Sequence, residues 1–209
     1  RQNRVTILCV IISIFLVTAI FSVADMMIRT QSDRMTGKNG SWHIELDGIS
    51  QETALKIVER DDVVSIGAVT IFNPDGELPY RMDGKRVVLY GIDESYLTMN
   101  STGAAEGRFP QGMGEIMLSS NAARVLQVAV GDTVTLRTPS GDWDFTVSGL
   151  GGVEESYYSG QYSLMDAYLP RTAFAALMEQ NNVHNLQTSY YVQFTSASKA
   201  AKAIPELTA

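Results

Sequence analysis

The chain has 209 residues, of which 16 are Lys or Arg and 23 are Asp or Glu, so its formal net charge is −7. The first 24 residues contain two arginines and no acid, which leaves 14 basic and 23 acidic residues in the remainder, a charge of −9. This balance excludes a typical nucleic-acid binder, which needs a basic face to displace counterions from phosphates. A hydrophobic content of 45% predicts a folded core and argues against intrinsic disorder.

The first predicted element is a transmembrane helix at about residues 5–24, VTILCVIISIFLVTAIFSVA, which contains no charge. Twenty residues at about 1.5 Å each span roughly 30 Å, the thickness of the hydrocarbon core. Arg1 and Arg4 precede this run, so the positive-inside rule places the N-terminus in the cytoplasm and the main domain outside the cell membrane. We expect residues 1–35 to form the cytoplasmic flank, the helix and a stalk.

A cleaved signal peptide is the alternative to this helix. Ser22-Val23-Ala24 places small residues at the positions that a signal peptidase prefers. The uncharged run is longer than the usual signal core of about 7–15 residues, and apolar residues continue beyond it at 26–28. A retained helix that continues into a stalk explains the pattern better.

Residues 36–72 predict a strand, a helix and a second strand. Trp42–Leu46 alternates in polarity, as expected for a half-buried strand. Ser50 is a candidate N-cap for a helix whose apolar positions lie on one face and which ends near Asp61. Val63–Phe72 returns as a strand, so this segment predicts half of a split βαβ layer.

The next segment, residues 73–188, predicts a β-rich insertion interrupted by turn sequences such as Asn73–Gly76. The predicted strands are Arg86–Ile92, Glu115–Leu118, Thr133–Arg137, Asp144–Leu150 and Tyr162–Leu169, and the predicted helices are Ser120–Leu126 and Thr172–Glu179. Pro139-Ser140-Gly141 is expected to join two of these strands as a hairpin.

Tyr190–Phe194 then predicts a strand, and Ser198 begins an amphipathic helix. The predicted fold class is α+β, with one N-terminal transmembrane helix followed by a two-lobed extracytoplasmic domain. Residues 36–72 plus 189–209 would form the split βαβ lobe, and 73–188 the β-rich inserted lobe. Because the chain begins without Met and stops within a helical pattern, we expect it to be a fragment.

The sequence contains no strong pattern for a catalytic nucleophile. Ser196–Lys199 matches S-x-x-K without its companion motifs, so a helix cap at Ser198 and a solvated lysine explain it better. His43 and His184 have no nearby G-x-S-x-G turn and are expected to be structural or solvated. We therefore expect no catalytic residue.

Metal and phosphate sites are also not predicted. The acidic pairs at 61–62 and 154–155 lack the alternating ligands of a calcium loop. Cys9, the only cysteine, lies in the apolar run, which excludes a disulfide or a cysteine-based zinc site in the rest of the chain. No glycine-rich phosphate loop of the G-K-S/T type is present, so we expect no cofactor.

One loop has an unusual composition, EESYYSGQY at residues 154–162. Its tyrosines, Tyr157, Tyr158 and Tyr162, stand among serine and glycine, a composition typical of recognition surfaces. The alternative is that the rings cover the edge of the β-rich core. Both interpretations remain open, and the first makes this segment a possible partner-binding loop.

A succession of motifs spans residues 91–149: GID at 91–93, EGRFP at 106–110, GEIMLS at 114–119, VGDTV at 130–134 and FTVSG at 145–149. Together with the preceding apolar helix, it resembles the extracytoplasmic core domain of MacB/FtsX-like ABC transporter permeases over nearly the whole chain. Gln127 departs from the family, which more usually has glycine after this leucine. The motif residues to which we assign structural roles are Gly107, Arg108, Pro110, Glu115, Gly131 and Asp132.

The resemblance implies a non-catalytic permease subunit of an ABC transporter, with ATP hydrolysis in a separate ATPase subunit. Its implied partners are that ATPase, a second permease subunit of the same or another kind, and membrane lipid, but no nucleic acid. Its outer domain would couple ATP-driven motion to export, lipoprotein release or envelope signalling. The alternative is a single-pass membrane-anchored sensor or binding module without transport.

Overall fold

The computed structural model describes residues 14–23, 26, 40–100, 103–151 and 165–207. The chain divides into two compact units, Arg1–Gly40 and Ser41–Ala209. Residues 14–23 of the first unit are helical. Within the described ranges, no helix is both long enough and apolar enough to cross a membrane. Residues 5–13 and 24 of the predicted span lie outside the described residues.

The second unit is a mixed α+β domain, as predicted. Its described strands are β1 (Ile44–Asp47), β2 (Val63–Phe72), β3 (Arg81–Met82), β4 (Lys85–Ile92), β5 (Ala104–Gly107), β6 (Glu115–Leu118), β7 (Thr133–Thr138), β8 (Gly141–Gly151), β9 (Met165–Pro170) and β10 (Thr188–Phe194). Its described helices are α1 (Gln51–Val58), α2 (Glu94–Met99), α3 (Ser120–Leu126), α4 (Arg171–Gln180) and α5 (Ala197–Leu207).

The ten strands belong to one sheet, part of which closes on itself. The strands β4, β3, β7, β8, β6 and β9 are neighbours in that order, and β9 pairs with β4 to complete a six-stranded ring. The β4–β9 and β6–β8 pairs are parallel, whereas the other ring pairs are antiparallel. Outside the ring, β5 pairs with β8, and the outer strands β2, β10 and β1 extend from β4.

The outer strands form a layer with α1 and α5 on one face and α2 on the other. Because β10 lies between β1 and β2 and is antiparallel to both, β1 and β2 run parallel and α1 connects them. Ala54 and Ile57 of α1 are buried in one cluster with Ala200 and Ala203 of α5. Val69 of β2 points to the other face, where it packs with α2.

The ring encloses the largest hydrophobic cluster of the described residues. All six of its strands contribute side chains, and Phe174 and Leu177 of α4 pack into the same cluster. Strand β7 shows the cleanest alternation, with Val134, Leu136 and Thr138 buried between exposed residues. This period of two explains why the strand could be predicted from its sequence.

Strand β4 has three neighbouring strands, so it belongs both to the ring and to the outer layer. Along one edge, Lys85 and Arg86 pair with β3 and Leu89–Ile92 pair with β2, while β9 covers the other edge. The side chain of Asn73 fills the gap between β3 and β2 by donating from Nδ2 to the carbonyl of Val87 at 2.9 Å. Its Oδ1 also accepts the Leu78 N–H at 2.9 Å, so this buried amide is satisfied on both sides.

Several predicted elements have the expected bounds, namely β2, β6 and α3. The hairpin around residues 139–141 is also present, as β7 and β8. Two predicted helix bounds were wrong. Helix α1 ends at Val58, not near Asp61, and α5 begins at Ala197, not at Ser198. Ser196, rather than Ser198, caps α5, because its Oγ accepts the Lys199 N–H at 3.3 Å. Elements β3, β5 and α2 were not predicted from the sequence.

We expect Gly67→Ala to destabilise the domain, because β2 and α2 approach each other closely at this position. A Cβ on Gly67 would lie 2.5 Å from the backbone nitrogen of Tyr96. Overpacking of this kind typically costs about 1–3 kcal/mol, measurable as the free energy of unfolding in urea. Gly114→Ala is the control, because nothing lies within 4 Å of its added methyl group. Equal destabilisation by both substitutions would contradict the close approach.

We expect Gln127→Gly to stabilise the domain. Gln127 ends α3 in the left-handed conformation, with φ 57° and ψ 42°, and its N–H bonds to the carbonyl of Ala123. This conformation costs a side-chain-bearing residue about 1–2 kcal/mol and costs glycine little. Gln127→Ala keeps the Cβ and should leave the midpoint of urea unfolding nearly unchanged. A glycine variant no more stable than the alanine variant would contradict this account.

Candidate functional site

Gly107 permits an unusually close approach of two backbone segments. It ends β5 with φ +72°, and a Cβ there would lie 2.4 Å from the carbonyl oxygen of Ser148 in β8. The next residue, Arg108, donates its backbone N–H to that same oxygen at 2.9 Å. From the other side, a Cβ on Gly149 would lie 2.4 Å from the carbonyl oxygen of Arg108. Glycine at both positions therefore lets residues 107–108 lie directly against β8.

Arg108 and Glu115 close the loop between β5 and β6. Nη1 of Arg108 donates to Oε2 of Glu115 at 2.9 Å, and Nη2 donates to Oε1. Oε2 also accepts the backbone N–H groups of Gln111 at 2.9 Å and Gly112 at 3.1 Å. The guanidinium, followed by the Gln111 amide, lowers the pKa of Glu115 from 4.5 to about 2. Pro110 is buried within the loop that these bonds hold.

Gly131 and Asp132 connect the turn before β7 to β8. Gly131, with φ +97°, donates its N–H to the carbonyl of Val147 at 2.8 Å, and Val147 donates its own N–H to the carbonyl of Asp132 at 2.8 Å. Oδ2 of Asp132 accepts the Ala129 N–H at 2.8 Å, which closes the turn. The family-motif residues thus lie on β5 and β6, the strands that pair with β8, or in the loops beside β8.

His43 and His184, which the sequence predicts to be structural or solvated, each form a hydrogen bond to a different partner. Nδ1 of His43 accepts the backbone N–H of Phe194 at 3.1 Å, and Nε2 of His184 lies 3.0 Å from Oδ1 of Asn182. In the part of the chain that the structure describes, no three His, Cys, Asp or Glu side chains are grouped to hold a metal ion.

The three tyrosines of the predicted partner-binding loop, Tyr157, Tyr158 and Tyr162, lie outside the described residues. The described chain stops at Gly151, the end of β8, and resumes at Met165, the start of β9. Their role in binding stays a prediction.

Two concave surfaces were not predicted from the sequence. The α4 cleft, about 680 Å³, lies beside Phe174 and Met178, with Arg171 paired to Asp93 at 3.7 Å. The β3–β7 groove, about 620 Å³, is lined by Arg81, Met82, Asp83, Gly84, Leu126, Val128, Thr133, Val134, Thr135, Arg137 and Asp142. Each surface combines elements far apart in the chain, so no local motif could have indicated it.

We expect Glu115→Gln to destabilise the domain at neutral pH but hardly at pH 2. Because the folded-state pKa of Glu115 lies below its ordinary value, the carboxylate stabilises the fold above about pH 4.5, and this contribution disappears as the pH falls toward 2. The gap in melting temperature between parent and variant should therefore close over that range.

Glu52→Gln is the matched control for this titration. Its ion pair with Lys56 at 2.8 Å is largely solvent-exposed, so its loss should change the melting temperature little at any pH. A gap between parent and Glu115→Gln that stays constant from pH 7 to pH 2 would contradict the assigned pKa.

Three solved structures are similar to this chain in fold. The periplasmic region of MacB from Actinobacillus actinomycetemcomitans aligns with a TM-score of 0.56 and 16% identity, over 78% of this chain and 74% of that chain. The extracellular domain of the noncanonic ABC-type transporter YknZ from Gram-positive bacteria aligns with a TM-score of 0.51 and 16% identity, over 74% and 77%. A permease-protein domain from Porphyromonas gingivalis gives a TM-score of 0.50 and 17% identity, over 81% and 70%.

A search of curated proteins found no match. The sequence model of one family, described as the MacB-like periplasmic core domain, matches residues 5–209, which is nearly the whole chain. The resemblance carried by the motifs at 91–149 is thereby confirmed. The chain belongs to the family of MacB-like periplasmic core domains.

Proposed function

We propose that the chain is part of a membrane-spanning permease subunit of an ABC transporter. The observation that carries the proposal is the family match over residues 5–209. The fold shared with the periplasmic region of MacB and the extracellular domain of YknZ supports it. In this proposal the domain lies outside the cell membrane and couples ATP-driven motion to export, lipoprotein release or envelope signalling.

The arrangement of the sheet supports a role in transmitting motion. The outer strands begin with β1, the first strand after the predicted stalk, and they also carry α5, the last described helix. Strand β4 joins this layer to the ring, because it pairs with β2 on one edge and with β9 on the other. In the proposed two-lobed division, residues 36–72 plus 189–209 would receive the motion and residues 73–188 would deliver it.

In this proposal ATP hydrolysis is assigned to a separate subunit, as the family resemblance implies. Such a subunit would carry G-x-x-x-x-G-K-S/T, the loop that cradles nucleotide phosphates. The proposed partners are therefore that ATPase and a second permease subunit, identical or different, with membrane lipid around the predicted helix.

The proposed membrane topology can be tested with single cysteines in a Cys9→Ala background. Glu77→Cys places a thiol on an exposed loop of the domain, and Gln2→Cys places one in the predicted cytoplasmic flank. A membrane-impermeant maleimide should modify Glu77→Cys in intact spheroplasts and Gln2→Cys only after permeabilisation. Modification in the reverse order would contradict the proposal.

The transporter assignment is tested by purifying the protein from its native membrane in neutral detergent. We expect it to co-purify with a subunit that carries G-x-x-x-x-G-K-S/T, and the assembly to hydrolyse ATP. Replacing the lysine of that motif by alanine should abolish hydrolysis. A protein that purifies without such a subunit and without ATPase activity would be the single-pass sensor instead.

A further inference from the structure

Three arginines lie side by side across the ring. In the sheet register Arg81 of β3 is directly opposite Arg86 of β4 on one side and Arg137 of β7 on the other. Residues in register on neighbouring strands point to the same face, with Cβ atoms about 4.5–5.5 Å apart. The fold therefore builds a row of guanidinium groups in a chain whose net charge is −7.

This row is electrostatically unfavourable by itself. Like charges directly opposite each other on neighbouring strands destabilise a sheet. Nη1 of Arg81 donates to the carbonyls of Leu78 at 2.6 Å and Tyr80 at 2.9 Å, and among the described residues Arg81 forms no ion pair. The carbonyls fix the position of the central guanidinium without neutralising its charge.

The end of the row at β7 has one carboxylate. Arg137 pairs with Asp142 of β8 at 3.5 Å, and both side chains are more than half exposed. An exposed pair of this kind is weak and can exchange its partner for another anion. Asp144, the next acid along β8, accepts the hydroxyl of Thr135 at 2.6 Å.

The row borders the β3–β7 groove, to which Arg81 and Arg137 both contribute. Its volume of about 620 Å³ lies in the range of small-molecule sites, about 300–1,000 Å³. Beyond the arginines, the groove is lined by the partly buried apolar residues Leu126 and Val128. The lining of the groove thus combines the cationic groups of Arg81 and Arg137 with apolar residues. Asp83 and Asp142 are its acidic residues.

We propose that the β3–β7 groove binds an amphipathic phosphate, with the phosphate on Arg81 and Arg137 and a short alkyl portion against Leu126 and Val128. A phosphate monoester carries nearly two negative charges at neutral pH, and the planar guanidinium group matches its oxygens. The groove favours this group over a single carboxylate, since both Arg81 and Arg137 line it. This inference does not depend on the transport proposal.

The binding test uses the 209-residue chain in nanodiscs of zwitterionic lipid, titrated by calorimetry with monohexyl phosphate and, separately, with inorganic phosphate. We expect saturable binding of monohexyl phosphate, at least about tenfold tighter than that of inorganic phosphate, because burial of the alkyl chain adds to the ionic contacts. This comparison distinguishes a lipid-like ligand from free phosphate. Equal affinities, or no saturable binding of monohexyl phosphate, would overturn the proposal.

Substitutions of the groove residues test whether the ligand binds there. Arg81→Gln and Arg137→Gln should each weaken binding of monohexyl phosphate about tenfold or more, and Arg81→Lys should weaken it less, because it keeps the charge and loses the planar group. Asp142→Asn should tighten binding, since it removes the carboxylate that competes for Arg137. Lys56→Gln, on α1 against the outer strands, is the matched loss of one charge and should have no effect.

Each variant is checked for an unchanged circular dichroism spectrum and melting curve. If Arg81→Gln does not fold, Arg137→Gln and Asp142→Asn still test the site, because both substitutions change exposed side chains. The first should weaken binding of monohexyl phosphate and the second should tighten it. The proposed site would be overturned if a folded Arg137→Gln variant bound monohexyl phosphate with the parental affinity. It would also be overturned if Asp142→Asn bound this ligand more weakly than the parent.

Discussion

The shared backbone pairing of β4 is the constraint on which the rest of this domain depends. A strand has two edges, and those of β4 are occupied by β9 on one side and by β3 and then β2 on the other. The ring cannot close without β4, and among the described strands β4 is the ring strand with which the outer strands pair. Asn73 makes the change of neighbour possible by satisfying the Val87 carbonyl where β3 has ended and β2 has not begun.

The family-motif residues likewise determine how closely backbone segments approach each other. Gly107 and Gly149 remove the Cβ atoms that would hold β5 and the following loop away from β8. Arg108 and Glu115 then fix that loop through a paired ionic contact supported by two backbone amides. Such contacts position the backbone of the loop between β5 and β6.

Periodicity predicted the elements that bury one face. Strand β7 alternates strictly, and β2 is a long apolar run, so both were found in the sequence. Helix α2 was missed because six residues, ESYLTM, are too short to show a helical period. Strand β5, AAEG, contains no β-branched or aromatic residue, and its conformation is imposed by pairing with β8.

The concave surfaces could not be predicted from the sequence, for a different reason. Arg81, Arg86 and Arg137 become neighbours only because the two-residue strand β3 lies between β4 and β7. A pairing between such distant segments, like the parallel β4–β9 pair, leaves no local signal in one sequence. The sequence therefore predicted most of the elements and the family. The groove was found only from the structure, which shows how β3 pairs with β4 and β7.

Native-state hydrogen exchange of the 209-residue chain tests the central claim, that β4 makes the ring and the outer strands one cooperative body. We predict that amides of β2, β4 and β9 exchange with the same free energy, equal to that of global unfolding. Exchange of β2 and β10 through a separate opening, at a much lower free energy than β9, would contradict the claim.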